Sequence, residues 1–187
     1  MTNLDTLLER NRFFAKTDAK DKVPAIPFIP NMQAYVLTCI DPRVDPAGIL
    51  GLELGDAIVA RSIGGRVTDA VLADLAWVCH LHENMTPDSA WFELAVIHHT
   101  DCGSALFADD ELRHSFAIRY GYDSVALRGL AVLDPAQTAQ EDTDRLLAAP
   151  QLASQIAVSG YVYEIETGLL TQVTAPRLRA DGSTTAS

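Results

Sequence analysis

Long apolar runs are missing from this 187-residue chain. The longest uncharged ones, such as residues 34–40 and 94–97, fall far short of the roughly 20 residues that span a bilayer, which argues against a membrane protein. A secretory leader is missing as well. The opening MTNLDTLLERNRFF carries acids and has no apolar central stretch, so the expected compartment is the cytosol. Positive charge is scarce: 14 Lys and Arg stand against 25 Asp and Glu, a net charge of −11. That balance speaks against nucleic acid or an anionic membrane as the main partner, because both demand a basic footprint. Any anion site must rest on a few local cations. Cysteine is scarce too. Cys39, Cys79 and Cys102 form an odd set in a chain without an export signal. A disulfide framework is therefore disfavoured, and metal binding or catalysis is the better expectation. What remains is 48% hydrophobic and 21% charged, a globular composition. At this length folding buries about 70% of the unfolded surface, so one core suffices without staples.

Along the chain, residues 3–16 set Leu4, Leu7, Leu8, Phe13 and Phe14 among charges at helical spacing. Residues 16–30 are polar and then carry Pro24, Pro27 and Pro30, an extended connector. Residues 1–30 thus read as a helical arm set apart from the core. Residues 34–38, 57–61 and 93–98 are short β-rich runs with little polar alternation, the pattern of strands buried on both faces of a parallel sheet. Helical patterns fall at 46–54, at 68–81 with Thr68 as N-cap, at 104–120 and at 135–148. Residues 127–133 suggest a fourth strand. Residues 156–165 and 169–173 flank Glu166-Thr-Gly168 as a hairpin, and 175–187 read as a disordered tail. The expected fold is α/β: a mainly parallel sheet flanked by helices, with an N-terminal helical arm and a C-terminal β-hairpin.

Cys39 closes the first strand and His99 and Cys102 close the third, in Thr38-Cys-Ile-Asp-Pro-Arg43 and His98-His-Thr-Asp-Cys-Gly103. Ligands of open α/β sheets bind beyond the carboxyl ends of strands. Two thiols and an imidazole at that edge form a Cys₂His set, which holds zinc tetrahedrally and leaves a fourth position open for chemistry. The plainer alternative is that each cysteine is a small buried hydrophobe. Asp41 and Arg43 follow Cys39 by two and four residues. The carboxylate is placed to accept a proton or hydrogen bond from water on the metal, and the guanidinium to hold that carboxylate ionised. An ordinary turn with a surface ion pair is the competing reading.

These residues resemble the β-class carbonic anhydrases. Cys39-Ile-Asp41-Pro-Arg43 matches the family's Cys-x-Asp-x-Arg motif, and His99-Thr-Asp-Cys102-Gly103 its His-x-x-Cys motif. Arg61-Ser-Ile-Gly64-Gly65 supports them as a strand-to-helix loop. The resemblance spans roughly residues 33–173, and the compact length is similar to that of the short bacterial branch. It implies Zn²⁺ on Cys39, His99 and Cys102, within a zinc-binding α/β domain over 31–174. It implies an Asp41–Arg43 catalytic dyad beside the zinc-bound water. It also implies a homodimer or dimer of dimers with active sites near the interface, the N-terminal helix embracing the partner. In some family members the aspartate matching Asp41 swings onto zinc. The implied reaction is hydration of carbon dioxide to bicarbonate by zinc-bound hydroxide. The branch also resembles hydrolases of carbonyl sulfide and carbon disulfide, equally small and linear substrates. A structural-zinc module without turnover, with Asp41 as fourth ligand, is the alternative of another class. Many members carry Asn-Ala where this chain has Ser62-Ile63, and residues 83–91 read as a local insertion; both bear on the substrate.

The remaining candidates have plainer readings. His98 should point to the side of the strand opposite His99 and serve packing or hydrogen bonding. His80 and His82, two residues apart near a helix end, do not share a face and make no second metal site. Cys79 is a buried helix residue and His114 a solvated one. Asp109-Asp-Glu111 starts a helix rather than holding calcium, and Gly64-Gly65 makes a tight turn rather than a phosphate loop.

Overall fold

A strand that is apolar on both sides needs cover on both faces. The first and third β-rich runs meet that condition as β1 (Ala34–Cys39) and β3 (Glu93–His99), whose side chains are buried almost throughout. The computed structural model describes residues 3–23, 25 and 29–179. Within it β2 (Ala57–Ser62), β4 (Val158–Tyr163) and β5 (Leu170–Arg177) complete one sheet in the order β2-β1-β3-β4-β5. The first four strands are parallel, and β5 closes a hairpin antiparallel to β4. From β1 the chain passes to β2 on one side and then to β3 on the other. The strand order therefore reverses between β1 and β3, and the crevice beyond their carboxyl ends is the topological switch point where such sheets take ligands.

Among the described residues six α-helices accompany the sheet: α1 (Asn3–Phe14), α2 (Pro46–Leu50), α3 (Asp69–Met85), α4 (Asp110–Tyr120), α5 (Ser124–Arg128) and α6 (Pro135–Ala148). Thr68 caps α3 as expected, its hydroxyl accepting from the Val71 N–H. The Asp134 carboxylate caps α6 by accepting from Ala136 and Gln137, with Pro135 in the first turn. Leu75 and Cys79 of α3 and Leu146 of α6 are buried with Leu37, Leu94 and Val158 of the sheet. Each such leucine contributes roughly 1.5–3 kcal/mol by leaving water. No helix among the described residues is long and apolar enough to cross a membrane.

Several expected boundaries move. Helix α2 ends at Leu50 rather than residue 54, because Gly51 takes a left-handed cap at φ 68°. The helix expected over 104–120 divides into a 3₁₀ turn, Gly103–Ala108, and α4, because the Asp109 carboxylate caps the Leu112 N–H and starts a new helix. Residues 127–133 form no strand. The Asp123 carboxylate accepts from the Val125 and Ala126 N–H groups and starts the one-turn α5, while β4 takes the place beside β3. Val132 packs against Cys39 and Cys102 instead. Helix α3 continues to Met85, absorbing Glu83, Asn84 and Met85 of the stretch read as an insertion. Its His82, in the last turn, is buried and edge-on to Trp91 with centroids 4.0 Å apart. Strand β5 runs on through Arg177, so residues 175–177 are strand and not tail. Pro176 is tolerated there because β5 is an edge. The connector's Pro24 and Pro27 and residues 180–187 of the tail lie outside the described residues.

Candidate metal centre

Cys39 is the last residue of β1 and His99 the last of β3, and the two strands are direct neighbours. Cys102 returns to them after Thr100 and Asp101, the latter in a left-handed conformation at φ 54°. The ligand atoms of Cys39, His99 and Cys102 all lie within 4.8 Å of one another, the two sulfurs 3.9 Å apart, and all three residues are buried. The protonation pattern suits a metal. His99 Nδ1 lies 2.9 Å from the Thr100 carbonyl, an acceptor, so that nitrogen carries the proton. His99 Nε2 then holds a bare lone pair, buried and without a hydrogen-bond partner. An uncompensated buried acceptor costs about 1–3 kcal/mol, a cost that a cation would remove. Metal-bound imidazoles are commonly oriented through their second nitrogen in this way.

The sulfurs are surrounded by donors. The Asp41 N–H points to Cys39 Sγ at 3.4 Å. Ser104 Oγ lies 3.2 Å from Cys102 Sγ and accepts from the Val132 N–H at 3.3 Å, which leaves its own proton for the sulfur. The Cys102 thiol is pushed down, chiefly by the Cys39 thiol beside it, against desolvation, with help from Ser104. Cys39 is pushed up in turn, because it keeps the proton the two sulfurs share and is desolvated. The pair therefore favours loss of a first proton, and a divalent cation held here by both sulfurs would favour loss of the second.

Asp41 stands outside the three-residue cluster. Arg43 holds it in a fork: Nε to Oδ1 at 3.0 Å, Nη2 to Oδ2 at 2.8 Å, and the Arg43 backbone N–H to Oδ1 at 2.9 Å. These bonds draw the Asp41 carboxyl down to about 2 and raise the guanidinium further above its ordinary range. Arg43 also reaches the Cys102 loop, with Nη1 2.7 Å from Asp101 Oδ2 and Nη2 2.9 Å from the Asp101 carbonyl. Arg61 grips the Cys39 loop by donating to the carbonyls of Cys39, Asp41 and Val44. Gly64 and Gly65 turn the chain beneath it at φ 69° and 70°. A Cβ on Gly65 would meet His98 Cδ2 at 3.1 Å and the Cys39 nitrogen at 3.2 Å, which explains glycine there.

A cavity of about 390 Å³ opens over Cys39 and Asp41, walled by Ile40, Ile63, Leu106, Phe107, Leu112 and Phe116. Its arginine, Arg113, is already engaged by the Phe107 carbonyl, Ser124 and Asp110. The walls therefore suit a small, uncharged, weakly hydrated molecule.

No family model matches the chain. Relatives do. Beta-carbonic anhydrase 1 of Mycobacterium tuberculosis is 28% identical over 153 residues, 80% of this chain and 86% of that protein. Carbon disulfide hydrolase of Saccharolobus solfataricus is 29% identical over 163 residues, 74% of this chain and 76% of its own. The crystal structure of carbonic anhydrase from Streptococcus mutans superposes with a TM-score of 0.74 at 30% identity, covering 93% of this chain and 99% of that one. The chain belongs to the β-carbonic anhydrase family. Membership and the Cys/His/Cys cluster together make it a metalloenzyme of that family acting on small substrates.

Against that family background, Cys39, His99 and Cys102 are brought together, and Asp41 and Arg43 form a pair beside them. Neither His80 nor His82 joins the cluster, and His98 turns away to Thr138 Oγ1 at 2.7 Å and Asp142 at 3.2 Å. Cys79 is buried in α3, and His114 is exposed. Sequence reasoning passed over Asp101, Arg61 and Ser104. Asp101 lies inside the His-x-x-Cys span and Arg61 opens the quoted loop, so their positions hinted at a role. No signal marked Ser104.

Proposed function

We propose that the enzyme hydrates carbon dioxide to bicarbonate and a proton, with Zn²⁺ held by Cys39, His99 and Cys102. The observation that carries this reading is the buried Nε2 of His99, without a hydrogen-bond partner and grouped with the sulfurs of Cys39 and Cys102. When bound, zinc supplies the Lewis acidity that lowers the pKa of water from about 16 to about 7. The chain's own residues do the rest. Arg43 keeps Asp41 ionised and fixed, so the carboxylate can accept a hydrogen bond from the attacking water and orient it. The apolar walls around Ile40, Ile63 and Phe116 admit a linear, uncharged substrate and shed its water. Because Arg43 engages both Asp41 oxygens, the structural-zinc alternative with Asp41 as permanent fourth ligand is disfavoured.

A second reading keeps every residue and changes the substrate to carbonyl sulfide or carbon disulfide. The apolar walls of the cavity and the similarity to carbon disulfide hydrolases favour it. Each carbonyl sulfide would take one water to give carbon dioxide and hydrogen sulfide; carbon disulfide would take two waters and give two sulfides. A side-by-side assay on zinc-loaded protein decides: acidification faster than the protein-free control on adding carbon dioxide supports hydration, and sulfide release faster than that control supports the alternative. Neither response from zinc-replete protein overturns both. We further propose a cytosolic homodimer or dimer of dimers. Its thiol ligands need a reducing compartment, and the exposed Leu4, Leu7, Leu8 and Phe13 of α1 need a covering surface.

A further inference from the structure

The three candidate ligands are not held equally. Cys39 and His99 end neighbouring strands and are each placed by a parallel ladder, Cys39 opposite Ser62 of β2 and His99 opposite Tyr163 of β4. Cys102 lies beyond both ladders. Its place depends on a loop whose middle residue, Asp101, is one of two non-glycine residues at positive φ among those described. On one side the loop is pinned to β4 and its hairpin, by the Thr100 N–H to the Tyr163 carbonyl at 3.1 Å and by Thr100 Oγ1 to Glu164 at 2.6 Å. On the other side Asp101 meets the Cys39 loop through a two-point contact with Arg43, one bond to its carboxylate and one to its carbonyl. Arg43 is thus shared between Asp41 and Asp101.

We infer that Asp101 is a positioning residue: through Arg43 it straps the Cys102 loop to the Cys39 loop and so holds the third metal ligand at binding distance. This rests on the metal reading of the site. The left-handed backbone alone does not explain an aspartate, since glycine or asparagine takes that conformation more readily. The carboxylate adds the anchor. A lone exposed ion pair contributes little, and the Asp101 side chain is 79% exposed. Here, however, one planar fork bridges two carboxylates and a carbonyl, and it acts on the residue directly before a metal ligand.

The test measures zinc release from the holoenzyme to a chelator at low ionic strength. Partners that orient metal ligands typically change affinity about 10–100-fold, and the exposure of Asp101 puts its effect near 10-fold. Asp101→Asn and Asp101→Gly, both at ease with positive φ, should each release zinc roughly 10-fold faster than wild type. In an Arg43→Gln background Asp101→Asn should add nothing, because the strap is already cut. The visible spectrum of the cobalt-substituted protein should shift in Asp101→Asn, while the melting point of the zinc-free protein should not. Wild-type release and an unshifted spectrum in Asp101→Asn would overturn the inference, as would additive effects in the double variant. Failure of the metal reading looks different: Cys102→Ala would then keep its zinc. If Cys102→Ala loses zinc while Asp101→Asn does not, the strap alone is wrong.

Discussion

Cys79 and Cys102 are equally buried cysteines, at 4% and 5% exposure, yet only Cys102 has a second sulfur and an imidazole within reach. Cys102→Ala should therefore abolish stoichiometric zinc binding, and Cys79→Ala should leave it intact, as metal analysis at matched purity reads out. Asp41 carries a different load. Asp41→Asn should keep zinc and lose about 10²–10⁴-fold in rate, since an amide is a far poorer acceptor and Arg43 loses its charged partner. Undiminished rates with both carbon dioxide and carbonyl sulfide in zinc-replete Asp41→Asn protein would sink the dyad. The same pair has a pH signature. The folded carboxyl of Asp41, at about 2, lies below its ordinary value of 3.8, so the pair stabilises the fold above about pH 4. That contribution fades as pH falls through about 2. Melting points of wild type and Asp41→Asn should differ at pH 6 and converge in acid; a gap unchanged down to pH 2 would contradict the assignment.

At the level of elements, glycines in a helix and in a turn answer to different constraints. Gly48 sits inside α2 with open space around a would-be Cβ, so Gly48→Ala should stabilise by roughly 0.5–1 kcal/mol. Gly65 has φ 70° and neighbours on three sides, including the Cys39 backbone. Gly65→Ala should cost about 1–2 kcal/mol for the left-handed backbone alone, more once the crowding is counted, and should loosen zinc because the turn braces Cys39. Denaturant unfolding of the zinc-free proteins separates the two glycines, and equal shifts would contradict the contrast. The elements also mark where sequence patterns mislead. Residues 127–133 are β-rich, yet Asp123 starts a helical turn just before them and β4 occupies the site beside β3. Local capping and strand competition outweighed propensity there.

On the scale of the whole molecule, the open question is what covers α1. Leu4, Leu7, Leu8 and Phe13 are each more than half exposed. Phe14 and Val23 line a groove with Pro46, Leu54 and Val59 beside the edge strand β2. Isolated helices of this length are marginal in water, so the arm is expected to find its stability against a second copy of the chain. Deleting residues 1–20 should lower both the solution mass and the melting point. A truncated protein that keeps the full-length oligomer and stability would show that the arm is not the bridge.

Much of this protein was legible in the sequence, for physical reasons. Strands buried on both faces advertise themselves as unbroken apolar runs, so β1 and β3 could be read directly. Cys39, Asp41, Arg43, His99 and Cys102 sit within two short spans, and their ligand chemistry is a property of residue type. Acidity, the odd cysteine count and the missing apolar spans needed no coordinates. Tertiary structure alone decided the strand order that sets β1 beside β3, and hence that the two spans meet at a switch point. It also decided that Arg43 joins Asp41 to Asp101 across 58 residues of chain, that Ser104 faces Cys102, and that Arg61 grips the Cys39 loop. Such contacts arise between loops with no periodicity of their own; their partners are chosen by the sheet that brings the loops together, not by any pattern along the chain.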